Sequence, residues 1–236
     1  MLTAVVNSLT VLMGGFLGLL LKKGIPQRFE KAIMTSLGLC VMYIGISGAL
    51  KGENQIVIVI SMVLGVILGT LIDIDKRIED LSNFIETKFN KNKTAKVSIA
   101  QGFMAASLLF CVGAMTVTGS IEAGLGIKEG YTTVYTKSAI DFVSATVLAS
   151  SLGVGVCFSS VFVLVFQGSL CLLASVLQPL LVGSALNELI SVGSLMILAL
   201  GFNMVGITKI KVANMMPALI FAPAVSYLAG YITSLF

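Results

Sequence analysis

The sequence predicts an all-α fold, a polytopic transmembrane helix bundle of about eight spans, on three grounds: composition, the length of the apolar runs and their periodicity. Of 236 residues, 57% are hydrophobic and 11% are charged, where a soluble domain carries about 25% charged residues. Mean hydropathy is +1.03. A soluble core has too little interior to hide that much apolar surface, whereas a hydrocarbon layer about 30 Å thick is crossed by about 20 apolar residues in a helix. Lipid leaves only helices and closed barrels as spanning structures. The runs lack the period-two alternation of barrel strands, so they read as helices.

Taken in order, the spans are expected near 2–21, 32–50, 55–73, 97–119, 138–154, 157–178, 189–208 and 212–234. The first is apolar from its start and has no basic leader or small-residue cleavage site, so it reads as a retained span. One set of loops carries Lys22, Lys23, Arg28 and Lys31, then Lys76, Arg77, Lys88, Lys91, Lys93 and Lys96, then Lys209 and Lys211; the other carries only Lys51, Lys128 and Lys137. Basic loops stay cytoplasmic, which places both termini outside. In residues 74–96, Ile74, Ile78, Leu81, Ile85 and Phe89 recur at helical spacing between charged neighbours. This cytoplasmic amphipathic helix is either a partner site or a connector lying in the headgroup layer. The whole of 1–236 reads as a single transmembrane domain, and topology alone explains the net charge of +4, so no nucleic-acid partner is expected.

Internal repetition is visible. Gly14, Leu17, Gly18 and Leu20 match Gly65, Leu68, Gly69 and Leu71, each a face of small residues four apart suited to close helix packing. The helices that follow align without gaps, Ser36, Leu37, Cys40, Val41 and Gly48 with Ser107, Leu108, Cys111, Val112 and Gly119. A fainter copy sets Glu30, Ser36, Leu37 and Gly48 against Glu188, Ser194, Leu195 and Gly206, and the charge rule makes that copy inverted. Inverted repeats let two halves expose one site to each side in turn. Ser, Leu and Gly are also common in membrane helices, and chance matches are the competing explanation. The two Gly faces further suggest a homodimer.

The chemical inventory narrows function by subtraction. With no His, a Ser/His dyad, a His-ligated metal and a histidine proton shuttle are excluded. Cys40, Cys111, Cys157 and Cys171 lie singly in apolar runs and read as small hydrophobes. No enzyme, cofactor or metal is expected. Asp73 closing the third span aside, Asp141 is the one charged residue placed within a predicted span, and such a carboxylate usually faces a cavity or a partner on an ion or substrate path. Lys137 precedes it by one helical turn, so the alternative is a structural pair near the outer interface with Lys137 snorkelling outward.

The run Ala149-Ser150-Ser151-Leu152-Gly153-Val154-Gly155 lies inside an uncharged stretch from Phe142 to Gln178 that is too long for one span. The chain must turn there, as a tight hairpin or a broken helix, and freed backbone groups are tolerated at membrane depth only against protein or a wet cavity. Gln167 beside Gly168, Thr116 and Thr118, Asn7, Asn203, and Asn214 between Lys211 and Pro217 add polar groups, each of which is either interhelical glue or ligand. The expected binding set is therefore Asp141, Gln167, Thr116, Thr118, Ser150, Ser151, Gly153, Gly155, Asn203 and Asn214.

The segments Cys111 to Ser120, Lys137 to Asp141, Ala149 to Gly155 and Gln167-Gly168-Ser169, with Gly14-Gly15-Phe16-Leu17-Gly18 and Gly65 to Asp73, together resemble the YqgA/YdfK family of uncharacterised bacterial inner-membrane proteins. The resemblance covers essentially the whole chain and implies one membrane domain in a bacterial cytoplasmic membrane. It carries no substrate or ligand residues with it. The residues themselves point to a transporter of a small solute or ion, with Asp141 taking a cation or proton; a channel and a non-transporting scaffold or sensor are the alternatives.

Overall fold

A computed structural model describes residues 1–22, 27–80, 99–181 and 183–233. Its principal helices are α1 (Leu2–Lys22), α2 (Gln27–Ala49), α3 (Gln55–Ile72), α4 (Ile99–Cys111), α5 (Ala114–Gly124), α6 (Lys128–Leu152), α7 (Gly155–Leu172), α8 (Ser184–Val205) and α9 (Ala218–Thr233). No strand occurs among the described residues. Of the amphipathic segment 74–96, residues 74–80 are helical and 81–96 fall outside the described residues.

Among the described residues, five helices are long and apolar enough to cross a membrane: Leu2–Leu21, Gln55–Ile72, Gly155–Leu172, Ser184–Val205 and Val212–Tyr231, the last including a short 3-10 turn before α9. The pair α4–α5 makes a sixth if counted as one span, bent by 62°. The sequence expectation of a continuous fourth span over 97–119 is thus corrected: the helix stops at Cys111, resumes at Ala114 with Gly113 at its N-cap, and runs on to Gly124. The apolar run of α2 is shorter, Met34–Ala49. α6 has 25 residues but a polar first half, and only Leu125 to Ile127 separate it from α5, where the predicted spans leave a connection over 120–137.

The chain divides into two compact units, one of residues 1–37 and 78–175, the other of residues 38–77 and 176–236. In the first, α1 lies along both α6 and α7. A Cβ on Gly14 would strike the carbonyl of Phe142, and one on Gly18 that of Thr146, so α1 and α6 run in the same direction at close range. Thr3 meets Cys171 and Gly15 meets Cys157, so α1 and α7 are antiparallel. α6 and α7 therefore form a hairpin, turned at Gly153, whose φ of 80° and ψ of −155° are open to Gly but not to side-chain-bearing residues. Of the two alternatives for this segment, the tight hairpin is the one observed.

In the second unit α3 and α9 are antiparallel, with Gly65 against Ala218 and Gly69 against the backbone of Asn214, while α2 runs antiparallel to α8 through Gly38, Gly45 and Gly48. Val192, Ala218 and Ala222 make a small buried cluster with Ile58, Met62 and Leu219 around it. Both small-residue faces that suggested a homodimer are therefore filled inside their own units. The matched motifs also differ in use, since Gly14 and Gly18 meet a parallel neighbour and Gly65 and Gly69 an antiparallel one.

Candidate functional site

Burial on α6 follows one helical stripe, Val134, Lys137, Ser138, Asp141, Ala145, Leu148 and Leu152. That stripe puts an ionised pair on the protein-facing side. Lys137 and Asp141 form a salt bridge one turn apart, and their residues are 6% and 5% exposed. The lysine does not snorkel. Its ammonium sits 5.9 Å from the centroid of the Phe110 ring on α4, a cation–π distance, so its charge is met by the Asp141 carboxylate and an aromatic face.

From α1 the inward stripe is Thr3, Asn7 and Val11, all 1% exposed or less. Asn7 Nδ2 donates to Asp141 Oδ2 at 3.0 Å and to Gln167 Oε1 at 3.1 Å, bridging α6 to α7. Gln167 is fully buried, and its Nε2 has no hydrogen-bond partner. Buried polar groups are nearly always paired, so an open amide donor inside a closed polar cluster requires an explanation. Two serine hydroxyls of the same unit, Ser107 on α4 and Ser120 on α5, are also buried without partners. Thr116 Oγ1 donates to the carbonyl of Phe110 at 2.8 Å, satisfying a group freed by the α4–α5 break.

Of the expected binding residues, the structure therefore gathers Asp141 and Gln167, with Thr116 beside them through Phe110. Thr118 is half-buried on α5. Ser150, Ser151, Gly153 and Gly155 belong elsewhere. Gly153 is twelve residues from Asp141, and Gly155 twelve from Gln167; at 1.5 Å per residue that is about 18 Å of helix, so the turn lies at the far end of the hairpin. Ser150 donates to the carbonyl of Val147 in its own helix, and Gly155 gives room for the backbone of Ile99.

Asn203 and Asn214 lie in the second unit and serve its backbone. Asn203 Oδ1 accepts from Thr208 Oγ1 and the amide of Ile210, and its Nδ2 donates to the carbonyl of Ile210, closing the turn after α8. Asn214 Oδ1 accepts from the amide of Asp75, beside an open cavity of about 310 Å³ lined by Val66, Thr70, Asp73, Lys211, Asn214 and Met215.

The sequence reading of Asp141 as the one charged residue inside a span is corrected twice. Lys137 is buried with it, and Glu188, expected just ahead of the seventh span, is a fully buried member of α8. Its Oε1 accepts the amides of Glu53 and Asn54 at 2.9 and 2.6 Å, and its Oε2 has no partner. Its position at the polar edge of an apolar run concealed it. Among the described residues no group of three or more His, Cys, Asp or Glu gathers as a metal site would.

A family model described as "Protein of unknown function (DUF554)" matches residues 2–227. The chain is 30% identical over 233 residues to the uncharacterized membrane protein YdfK of Bacillus subtilis, covering 96% of each, and 30% identical over 223 residues to the uncharacterized protein YqgA of Escherichia coli, covering 94% of each. No solved structure matches the chain.

Proposed function

This chain belongs to the DUF554 family, a membrane protein by its apolar helices and by the name of its Bacillus relative, and from that premise we infer that it is a multi-pass transporter of a small solute or ion in a bacterial cytoplasmic membrane. The observation that carries this reading is the Lys137–Asp141 pair, tied by Asn7 to an incompletely bonded Gln167. Ionisable groups kept inside a membrane bundle commonly mark an ion or substrate path. A bent, interrupted helix stands against the same cluster through Phe110, and broken helices line binding sites in many carriers.

Asp141 is the group that takes the coupling proton or cation, exchanging it against Lys137. A carrier is favoured over a channel because Asn7, Lys137, Asp141 and Gln167 are all 6% exposed or less, so the site is closed. An inverted repeat relating α2 to α8 fits their antiparallel packing. Eight crossings are reached when α2 and α6 are added to the six apolar spans.

Two measurements test this reading. In proteoliposomes, uptake from a panel of labelled small solutes should saturate and should respond to an imposed pH or sodium gradient; single-channel currents, or no flux for any solute, would count against a carrier. For topology, single cysteines placed at 125–127 should react with an impermeant thiol reagent from outside intact cells and those at 88–96 should not. The reverse pattern would overturn the orientation.

A further inference from the structure

We propose that the buried cluster of α1, α6 and α7 binds a small monovalent anion through Gln167 Nε2 and Lys137 Nζ, and that each anion enters with one proton, taken by Asp141. The proposal rests on the reading of this cluster as the transport site and names its ligand class.

The first argument is the inventory of hydrogen bonds. Two acceptors of the cluster are occupied: Asp141 Oδ2 receives Lys137 and Asn7, and Gln167 Oε1 receives Asn7. What stands open is a donor, Gln167 Nε2, on a residue with no exposure. An amide NH₂ has two protons to give, and an ammonium three. A cation arriving beside Gln167 would meet its N–H group, whereas an anion there would meet the unused donor.

The second argument is charge balance. Lys137 and Asp141 together are neutral, and an anion added to a site that excludes water would leave an uncompensated negative charge, which hydrogen bonds alone do not offset. A proton on an Asp141 oxygen restores neutrality. The O–H bond forms, the ion pair opens, and the ammonium turns from the carboxyl to the anion. One proton and one anion enter, and the net charge of the cluster stays at zero. Among the described residues, the groups facing Asp141 are Lys137 on its own helix, neutral Asn7 on α1 and neutral Gln167 beyond it on α7, and the titratable Cys111 on α4 lies within electrostatic reach.

The test uses the full chain in lipid nanodiscs and follows thermal unfolding with sodium formate, nitrate and chloride, with gluconate as a bulky anion and potassium or choline replacing sodium. The small anions should stabilise saturably and gluconate and the cation exchanges should not. Their apparent affinity should tighten by up to about tenfold for each pH unit lowered, the signature of one proton taken up per anion. Asp141→Asn, which holds the carboxyl position neutral at every pH, should abolish the pH dependence of the anion response. Gln167→Leu, which removes the open donor and retains bulk, should weaken the response by about tenfold or more. Should Asp141→Asn fail to fold, the wild-type pH series and Gln167→Leu decide the matter.

Stabilisation that follows the cation, an anion response indifferent to pH in the wild type, or no response at about 100 mM of any small anion would overturn the proposal. Saturable flux of a neutral or cationic solute together with those results would keep the carrier and remove the anion. Anion binding without flux would keep the site and remove the carrier.

Discussion

Asp141→Asn is expected to lower unfolding stability by about 3–5 kcal/mol in buffer without small anions, because it strands the Lys137 ammonium in a protein interior. The sequence alone allowed a milder outcome, with Lys137 swinging out to the nearby interface at a cost of about 0–1 kcal/mol. That escape is closed by the packing. Lys137 is 6% exposed, under Phe110 and beside α1, and Asn7 would lose its strongest acceptor at the same moment. Replacing both partners, Lys137→Met with Asp141→Leu, should restore most of the loss, since paired charges exchanged for apolar groups of similar size are often neutral or stabilising. Denaturant or thermal unfolding of the two single variants and the double variant in one lipid environment measures the coupling. Single-variant losses below about 1 kcal/mol would mean that the pair is solvated, and the transport site would then have to be sought elsewhere.

Glu188→Ala is expected to cost about 3 kcal/mol or more, and Glu188→Gln less than about 1 kcal/mol. One carboxylate oxygen of Glu188 accepts two successive backbone amides, those of Glu53 and Asn54, at the turn that begins α3. The Asn54 side chain then accepts the amides of Ile56 and Val57, so side-chain oxygens satisfy four amides at this helix start. Alanine removes the acceptor, leaves two donors open and makes a cavity in a fully buried position. Glutamine keeps the acceptor and places its NH₂ where Oε2 already lacks a partner. Thermal unfolding of both variants separates the effects. Equal losses in Ala and Gln would show that the carboxylate charge, and not the acceptor, holds the turn, and would move Glu188 from the scaffold to the list of functional groups.

The apolar runs, the all-helical class and the turn near Gly153 were legible because each depends on local sequence: length against the bilayer, the absence of alternation, and a stretch too long for one helix. Asp141 and Gln167 were legible for a similar reason, being conspicuous against apolar neighbours. The α4–α5 break was not. Cys111 to Ser120 contains no proline and no polar loop, and single glycines such as Gly113 and Gly119 are tolerated in most helices, so only the packing of α4 and α5 against α6 and α7 reveals a 62° bend. Small-residue faces misled in another way: Gly14 and Gly18 announce close packing, but composition does not say whether the partner is another copy or a helix of the same chain.

By itself the sequence determined the solvent of this protein, lipid, and the kind of element that can live there, because backbone hydrogen bonding and bilayer thickness act on each segment separately. Which polar groups meet was decided only by the tertiary structure. Asn7, Asp141 and Gln167 lie on three helices as much as 160 residues apart in sequence, and their union depends on the rotation and direction of each helix about its neighbours. The same rotation turned Lys137 inward rather than toward water, and set Glu188 at the start of a distant helix. A hydropathy pattern records how apolar a residue's surroundings in sequence are; whether a charge within it is paired, solvated or open to a ligand is a property of the neighbours that folding brings.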